Sequence, residues 1–181
     1  MTLKFISLGV WILQGIMAIV VLALSIELIK TQRVGDAPTT TKYSAFTGGF
    51  GLAVAIFGAI ATFFDVIPAL VVMAADAISG LLLLAGGIAI AIGLRGVTCD
   101  PNTQDEWTKL QDNDLVNRGK TKVDGKWGYG ARTPAQLVDN CKKATADQAM
   151  QFVTFGFALA TIILVFWVWK KSRSGGGRAY V

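Results

Sequence analysis

The 181-residue sequence contains no histidine, and it has only two cysteines and four prolines. Haem sites held by histidine, histidine-based zinc sites and histidine general bases are therefore excluded. Charged residues make up only 16% of the chain, whereas 53% of its residues are hydrophobic. Because soluble domains carry about a quarter of charged residues, this composition indicates a membrane protein.

The distribution of charge argues against a nucleic-acid partner, although the net charge is +5. Nine of the 17 basic residues lie between Arg95 and Lys143, and seven of the 12 acidic residues lie in the same segment. A segment this close to neutral is typical of a solvated surface rather than of a nucleic-acid patch. We expect no nucleic-acid partner, and no pattern of side chains predicts a cofactor or a metal site.

Four long apolar runs account for most of the chain. The longest, Val66–Leu94, contains one ionisable residue, Asp76. As a helix it would extend for about 44 Å, beyond the hydrocarbon thickness of a bilayer. The other three runs are Phe5–Ile29, Ala45–Phe64 and Ala149–Trp169. We therefore predict an all-α membrane protein, an antiparallel bundle of four transmembrane helices within residues 1–171, followed by a short basic tail at 172–181.

Small residues recur at every fourth position in the second and third runs, and such rows let two helix backbones approach closely in lipid. The rows are Gly51, Ala55 and Ala59 in the second run and Ala85, Ala89 and Gly93 in the third. Asp65 between these two runs and Pro68 near the start of the third favour a tight hairpin with a capped helix after it. We expect the second and third helices to pack as an intimate antiparallel pair.

The one long polar segment, residues 95–148, lies between the third and fourth runs. Its glycines and aromatic residues indicate an irregular loop that folds on itself or lies on the lipid headgroups. Thr133 and Pro134 have the order of an N-cap and a first helical residue, so a helix is expected to begin there and to continue toward the fourth run. No arrangement of side chains in the chain predicts catalysis, and we expect a protein that is not an enzyme.

The two cysteines, Cys99 and Cys141, both lie in this loop, each just outside a membrane boundary. Their placement predicts a disulfide that joins the two ends of the loop, and such a bond requires an oxidising compartment. The loop would then face the exterior or a lumen, and four crossings would leave both termini in the cytoplasm. The alternative is two unrelated thiols at the membrane surface.

Basic residues after the fourth run agree with this orientation, because positive charge favours the cytoplasmic side. They are Lys170, Lys171, Arg173 and Arg178. Lys30, Arg33 and Lys42 in the first loop oppose it, so the cysteines decide the orientation. We expect the basic tail to contact anionic lipids of the inner leaflet, at about 1 kcal/mol for each residue near the surface. A simple stop-transfer anchor is the alternative.

Asp76 is the sharpest candidate for a functional residue, because an aspartate inside a membrane span costs a few kcal/mol on insertion scales. A neighbouring helix could supply its partner, and the candidates are Gln14, Thr47, Thr62 and Thr154. Ser79 lies near it on the helix and could share the network. A contact with a lipid headgroup and a proton or cation site are the other interpretations. No Lys, Arg or His within the membrane is available for a relay.

The order of loops and helices resembles fungal MARVEL-domain proteins of the non-classical-export type, which are associated with eisosome membrane compartments. A short first loop, a tight second hairpin and a cysteine-bearing outer loop after the third helix carry the resemblance. Its local motifs are Asp76 within V-V-M-A-A-D-A, the G-L-R-G-V-T-C run from Gly93 to Cys99, and Cys141-Lys-Lys-Ala-x-Ala-x-x-Ala followed by Phe152 and Phe155.

The resemblance implies a four-helix bundle in the plasma membrane that helps to organise lipid microdomains and responds to sphingolipid status, without catalysis. Sphingolipid-rich or sterol-rich membrane would then be its partner, and it could form a homo-oligomer. A first alternative is an accessory subunit of a larger membrane enzyme or transporter. A second alternative is a small transporter that depends on Asp76.

Overall fold

The computed structural model of the protein describes residues 2–63 and 67–174. Its helices are α1 (Thr2–Thr31), α2 (Thr39–Ala61), α3 (Ala69–Gly93), α4 (Gln104–Asp112) and α5 (Pro134–Ser174), and its strands are β1 (Lys120–Val123) and β2 (Lys126–Tyr129). Within this part of the chain, four helices are long and apolar enough to cross a membrane, namely α1, α2, α3 and α5.

The four long helices form a ring in which each helix contacts the next. α1 packs against α2 and α5, and α3 packs against the same two helices from the opposite side. Successive long helices run in opposite directions, so α4, the β1–β2 hairpin and the α1–α2 connection share one end of the bundle. This arrangement confirms the predicted fold, an antiparallel four-helix bundle with a disulfide-closed segment between its last two membrane helices.

Three long helices begin earlier than the apolar runs that predict them, and α1 does so by three residues, at Thr2 rather than at Phe5. α2 begins at Thr39 rather than at Ala45, directly after Pro38. Proline has no backbone N–H and its ring clashes with a preceding helical turn, so a helix can start after it but does not run through it. α5 begins at Pro134 and continues without a break to Ser174, so the expected start of a helix and the fourth span belong to one element. The predicted hairpin cap at Asp65 lies outside the described residues.

The closest helix contacts are not those that the rows of small residues predict. On α2, a Cβ added at Gly48 would lie 2.7 Å from the backbone nitrogen of Leu22, so this part of α2 faces α1. On α3, Ala85 and Gly93 are exposed and Ala89 is half-buried. The buried glycines of α3 face α5 instead, and they are Gly80, Gly86 and Gly87.

This difference has a simple physical cause. A spacing of four identifies a row along a helix, but a helix carries several such rows, and only contacts with neighbours decide which row is covered. Gly51 and Ala55 of the predicted α2 row are buried. A Cβ added at Gly51 would meet Ser79 Oγ of α3 at 3.4 Å and the Cβ of Ala18 on α1 at 3.6 Å, whereas Ala55 lies beside Gly15 of α1. Ala59 is half-buried against the cluster around Trp11 of α1. The α2 row therefore contacts both α1 and α3.

The polar segment after α3 folds into a cap with its own small core. Leu110 of α4, Val116, and Leu137 and Cys141 of α5 are buried together, with Cys99 packed against them. The predicted Cys99–Cys141 disulfide is present, with the two Cα atoms 5.4 Å apart. The cap is therefore more regular than the irregular loop that the glycine content indicates.

Arg118 joins the cap to the first connection, residues 32–38. Its carbonyl oxygen accepts hydrogen bonds from the backbone nitrogens of Arg33 and Val34, at 2.9 and 3.2 Å. Its guanidinium donates to the side chain of Asn140 at 3.1 Å, and Asn140 in turn donates to the carbonyl oxygen of Val116. Arg118 has a φ of 61°, and these bonds stabilise this uncommon backbone conformation.

A capping box forms the N-terminus of α4, and it makes the stability of this part of the cap depend on pH. The backbone nitrogens of Asn102 and Thr103 donate to the Glu106 carboxylate, and the Thr103 hydroxyl accepts from the Glu106 backbone. These backbone donors hold the pKa of Glu106 below its ordinary value. Because the pKa of Glu106 is lower in the folded protein than in the unfolded chain, its ionised carboxylate stabilises the fold at a pH above the ordinary pKa. This stabilisation is lost as the pH falls through the lowered pKa.

We expect acidification of the wild-type protein to lower the protection of the first turn of α4 against hydrogen exchange, measured relative to the intrinsic exchange rate at each pH. Glu106→Gln should show lower protection there at neutral pH and little further change in protection on acidification. Asp105→Asn is the matched control. Asp105 lies in the same turn, but its carboxylate pairs with Lys109 and not with the backbone nitrogens of Asn102 and Thr103. An unchanged acid response in Glu106→Gln would show that another group controls this turn.

Candidate functional site

The interior of the bundle contains two groups of buried polar side chains. The inner tier consists of Gln14, Asp76, Ser79 and Thr161, and the outer tier consists of Ser25, Ser44, Asp147 and Gln151. The outer tier lies closer to the cap, because Ser25, Ser44 and Asp147 are near the ends of α1, α2 and α5 that carry it. In lipid, polar groups turned inward bond one another because no water is present to replace them.

In the inner tier, α1 and α3 are joined through a single direct bond. The Gln14 amide donates to Asp76 Oδ1 at 2.5 Å, and both side chains are almost fully buried. The hydroxyl of Thr161 on α5 lies 3.5 Å from Gln14 Oε1. Gln14 of α1 therefore lies between Asp76 of α3 and Thr161 of α5.

The other predicted partners of Asp76 bond elsewhere. The hydroxyls of Thr47, Thr62 and Thr154 each donate to a backbone carbonyl of their own helix. Asp76 Oδ2 and Ser79 Oγ are buried without a hydrogen-bond partner. Ser79 therefore lies about one turn from Asp76 on α3 but forms no hydrogen bond with it.

The outer tier was missed by the sequence analysis. Ser25 Oγ and Ser44 Oγ each lie 2.7 Å from Asp147 Oδ2, and the Gln151 amide donates to Ser44 Oγ at 2.6 Å. Three helices, α1, α2 and α5, meet at these bonds. The predicted span begins at Ala149, which places Asp147 in the loop before it. The recurrence of polar residues at helical spacing at 147, 151, 154 and 161 could have indicated one buried face.

Neither buried aspartate has a cationic partner among the residues that the structure describes. Lys143, one turn before Asp147, pairs instead with Glu27 at 3.3 Å and with Asp139 at 2.8 Å. In the same part of the chain, no group of three or more Cys, Asp and Glu side chains could hold a metal ion. The contacts present in both tiers are hydrogen bonds between helices.

A lipid-facing groove lies between α3 and α5 at the end of the bundle away from the cap. It has a volume of about 540 Å³. Its walls are apolar, with Leu70, Met73 and Ala77 on α3 and Ile162, Phe166 and Trp167 on α5. Trp167 is 71% exposed and lies near the end of the apolar run, the position at which tryptophan marks the membrane–water boundary.

One of the basic residues proposed for lipid contact, Lys170, follows this groove along α5. Lys170 is exposed on α5. Lys171 and Arg173 belong to α5, but their side chains lie outside the described part of the structure, as does the whole of Arg178.

These observations define a multi-pass membrane protein, a four-helix bundle with inward polar groups and a disulfide-closed cap. The profile of the MARVEL family, described as a membrane-associating domain, matches residues 4–164. The chain therefore belongs to the MARVEL family, as its resemblance predicts. No curated protein and no solved structure shows a significant match to the chain.

The bond between Gln14 and Asp76 gives a stability prediction for the inner tier. Asp76→Leu should lower the free energy of unfolding by about 1 to 3 kcal/mol, because the buried Gln14 amide loses its acceptor. Adding Gln14→Leu should restore part of the loss. Ser79→Ala is the control and should have a small effect, since the Ser79 hydroxyl has no partner.

Unfolding of the purified protein in mixed detergent micelles would measure these changes. If the losses of Asp76→Leu and Gln14→Leu simply add in the double variant, the bond does not couple α1 and α3. A different substitution, Asp76→Asn, tests the transporter hypothesis. That hypothesis requires the variant to lose flux while it retains the fold.

Proposed function

We propose that this MARVEL protein is a non-enzymatic organiser of plasma-membrane lipid domains, of the eisosome-associated fungal type. The observation that carries the proposal is the apolar groove between α3 and α5, which opens to lipid. Large apolar side chains on the outer surfaces of all four long helices continue this lipid contact, and Ile16, Ile56, Leu81 and Ile163 are examples. Its partners would be sphingolipid-rich or sterol-rich membrane.

The orientation that we propose places the cap on the exterior and both termini in the cytoplasm. The disulfide supports it, because such bonds persist in oxidising compartments. In this orientation the groove lies in the inner leaflet, and the basic residues of the tail meet anionic headgroups. Lipid chains held in the groove and headgroups held by the tail would together select the surrounding lipids.

Native mass spectrometry of the protein released from nanodiscs tests this proposal. The wild-type protein should retain lipid, and Ala77→Phe, which fills the groove, should reduce the retained lipid. Ala85→Phe is the matched control, because Ala85 is exposed on the same helix outside the groove. Equal loss in both variants, or no lipid retained by the wild-type protein, would contradict a specific role for the groove.

Redistribution in cells tests the microdomain assignment separately. Depletion of sphingolipid should disperse the protein from its membrane domains if it follows lipid composition. An unchanged distribution would count against the organiser function even if the groove holds lipid.

A second candidate function is an accessory subunit of a larger membrane complex. The row of Ala85 and Ala89 on α3, exposed and half-buried, favours it, since small side chains allow another helix to approach closely. A foreign subunit at fixed stoichiometry in the same mass spectra would select this function.

A further inference from the structure

The outer tier contains a triangle of oxygen atoms that brings three helices together. Ser25 Oγ of α1, Ser44 Oγ of α2 and Asp147 Oδ2 of α5 are each 2.7 Å from the other two. All three side chains are 0% exposed. A separation of 2.7 Å is the usual length of an O–H···O hydrogen bond, so each of the three sides requires a hydrogen.

The two serines cannot supply three hydrogens. Each hydroxyl has a single hydrogen, and an ionised carboxylate has none. The Gln151 amide does not resolve the shortage, because it donates to Ser44 from outside the triangle. One hydrogen shared between two sides would be bent on both, whereas hydrogen bonds prefer angles above about 150°.

We propose that the Asp147 carboxyl of the folded protein is a proton-binding site, with its proton on Oδ2 at neutral pH. Asp147 then donates to Ser25, Ser25 donates to Ser44, and Ser44 donates back to Asp147 Oδ2. Ser44 accepts from both Ser25 and Gln151, which uses its two lone pairs. Asp147 Oδ1, which has no partner, becomes the carbonyl oxygen of a neutral acid, whose burial costs far less than that of an unpaired anion.

A metal cation is not indicated at the same position. The triangle offers one carboxylate oxygen and two hydroxyls. Among the described residues, no group of three or more Cys, Asp and Glu side chains could hold a metal ion. Each side of the triangle has the length of an O–H···O hydrogen bond, so a proton accounts for it.

Among the described residues, no charged group near the tier offers an alternative source of compensation. Toward the capped end, the charged and titratable side chains are Glu27 and Lys30 on α1, Lys42 and Tyr43 on α2, and Asp139, Lys142 and Lys143 on α5, and Asp76 lies deeper on α3. Lys4, Lys170, Lys171 and Arg173 belong to the opposite ends of α1 and α5. Asp76 bonds Gln14 in the inner tier, and the Tyr43 hydroxyl donates to the Leu82 carbonyl oxygen. Lys143 pairs with Glu27 and Asp139, and none of these residues forms an ion pair with Asp147.

The site would make the packing of the capped end of the bundle depend on a proton. Asp147 lies one turn inside Lys143, close to the end of the bundle that the cap covers. Removal of the proton leaves one side of the triangle with two facing acceptors and a buried anion. The contacts of α5 with α1 and α2 would then weaken together.

Infrared spectroscopy of the protein in nanodiscs, labelled with ¹³C-carboxyl aspartate, tests this site directly. A neutral carboxyl has a carbonyl stretching band that is well separated from the two bands of a carboxylate. At neutral pH, we expect the wild-type protein to show a labelled neutral-carboxyl band. The band should persist in Asp76→Asn, which removes the other buried aspartate, and should be lost or reduced in Asp147→Asn.

Each outcome decides the proposal. A wild-type spectrum with carboxylate bands alone would overturn it, as would a neutral band that Asp147→Asn leaves unchanged. If Asp147→Asn does not fold, the Asp76→Asn spectrum is sufficient, because complete loss of the band in that variant would assign the proton to Asp76 and overturn the proposal.

Discussion

Gly48→Ala is expected to destabilise the bundle by about 1 to 3 kcal/mol, the usual cost of overpacking a tight contact. The new Cβ would lie 2.7 Å from the backbone nitrogen of Leu22 and 3.0 Å from its Cα. A backbone atom cannot rotate away as the end of a side chain can, so α1 and α2 must move apart. Thermal unfolding in detergent would measure the loss.

Gly49→Ala provides a control at the adjacent position of the same helix. Its Cβ would meet only the end of the Leu22 side chain, at 3.9 Å. Alanine also favours a helix interior over glycine by about 1 kcal/mol, so this variant should be neutral or more stable. Equal destabilisation by both substitutions would mean that the closest approach of α1 and α2 is not at Gly48.

Removal of the disulfide is expected to have the largest effect on the cap. The bond closes a segment with a sequence separation of 42 residues. On chain-entropy grounds, a loop of this size is stabilised by about 4 kcal/mol. In the double variant Cys99→Ser, Cys141→Ser, hydrogen exchange should therefore speed up throughout α4 and around Arg118.

The membrane helices provide the internal reference for this experiment. Their backbone hydrogen bonds are protected by lipid, so exchange in the middle of α2 and α3 should change little. Reduction of the wild-type protein should reproduce the result of the double variant. A cap that exchanges at the wild-type rate without the disulfide would show that its core and Arg118 suffice to hold it.

The sequence was sufficient to predict the architecture because the membrane imposes strong constraints. A run such as Val66–Leu94 has few alternatives to a transmembrane helix. The two cysteines lie in one loop beside two membrane boundaries, which made Cys99–Cys141 the natural pair. Both predictions depend on local composition and on position along the chain, which a single sequence contains.

The helix faces could not be predicted in the same way. Ala85 and Gly93 form a regular row, yet they are exposed, while Gly86 and Gly87 beside them face α5. Apart from Asp76 and Ser79, every side of α3 is apolar, so hydrophobicity does not distinguish its lipid-facing rows from its buried rows. Which row is covered depends on the neighbouring helices.

The sequence predicts the Gln14–Asp76 contact among several alternatives, but it does not predict the tier around Asp147. Gln14 was among the residues considered for Asp76, because a polar side chain inside a span has few possible partners. Asp147 is not among the predicted residues, because a charged residue next to an apolar run indicates the boundary of a span. α5 instead continues through that boundary, and the cap and α1 cover the residues before Ala149.

Thiol labelling in intact cells tests the central claim, a bundle that crosses the membrane four times under a disulfide-closed outer cap. A membrane-impermeant maleimide should not label the wild-type protein until an impermeant reductant is added, and both Cys99 and Cys141 should then react. Labelling without reductant, and only after the membrane is permeabilised, would show free thiols in the cytosol and would contradict the account.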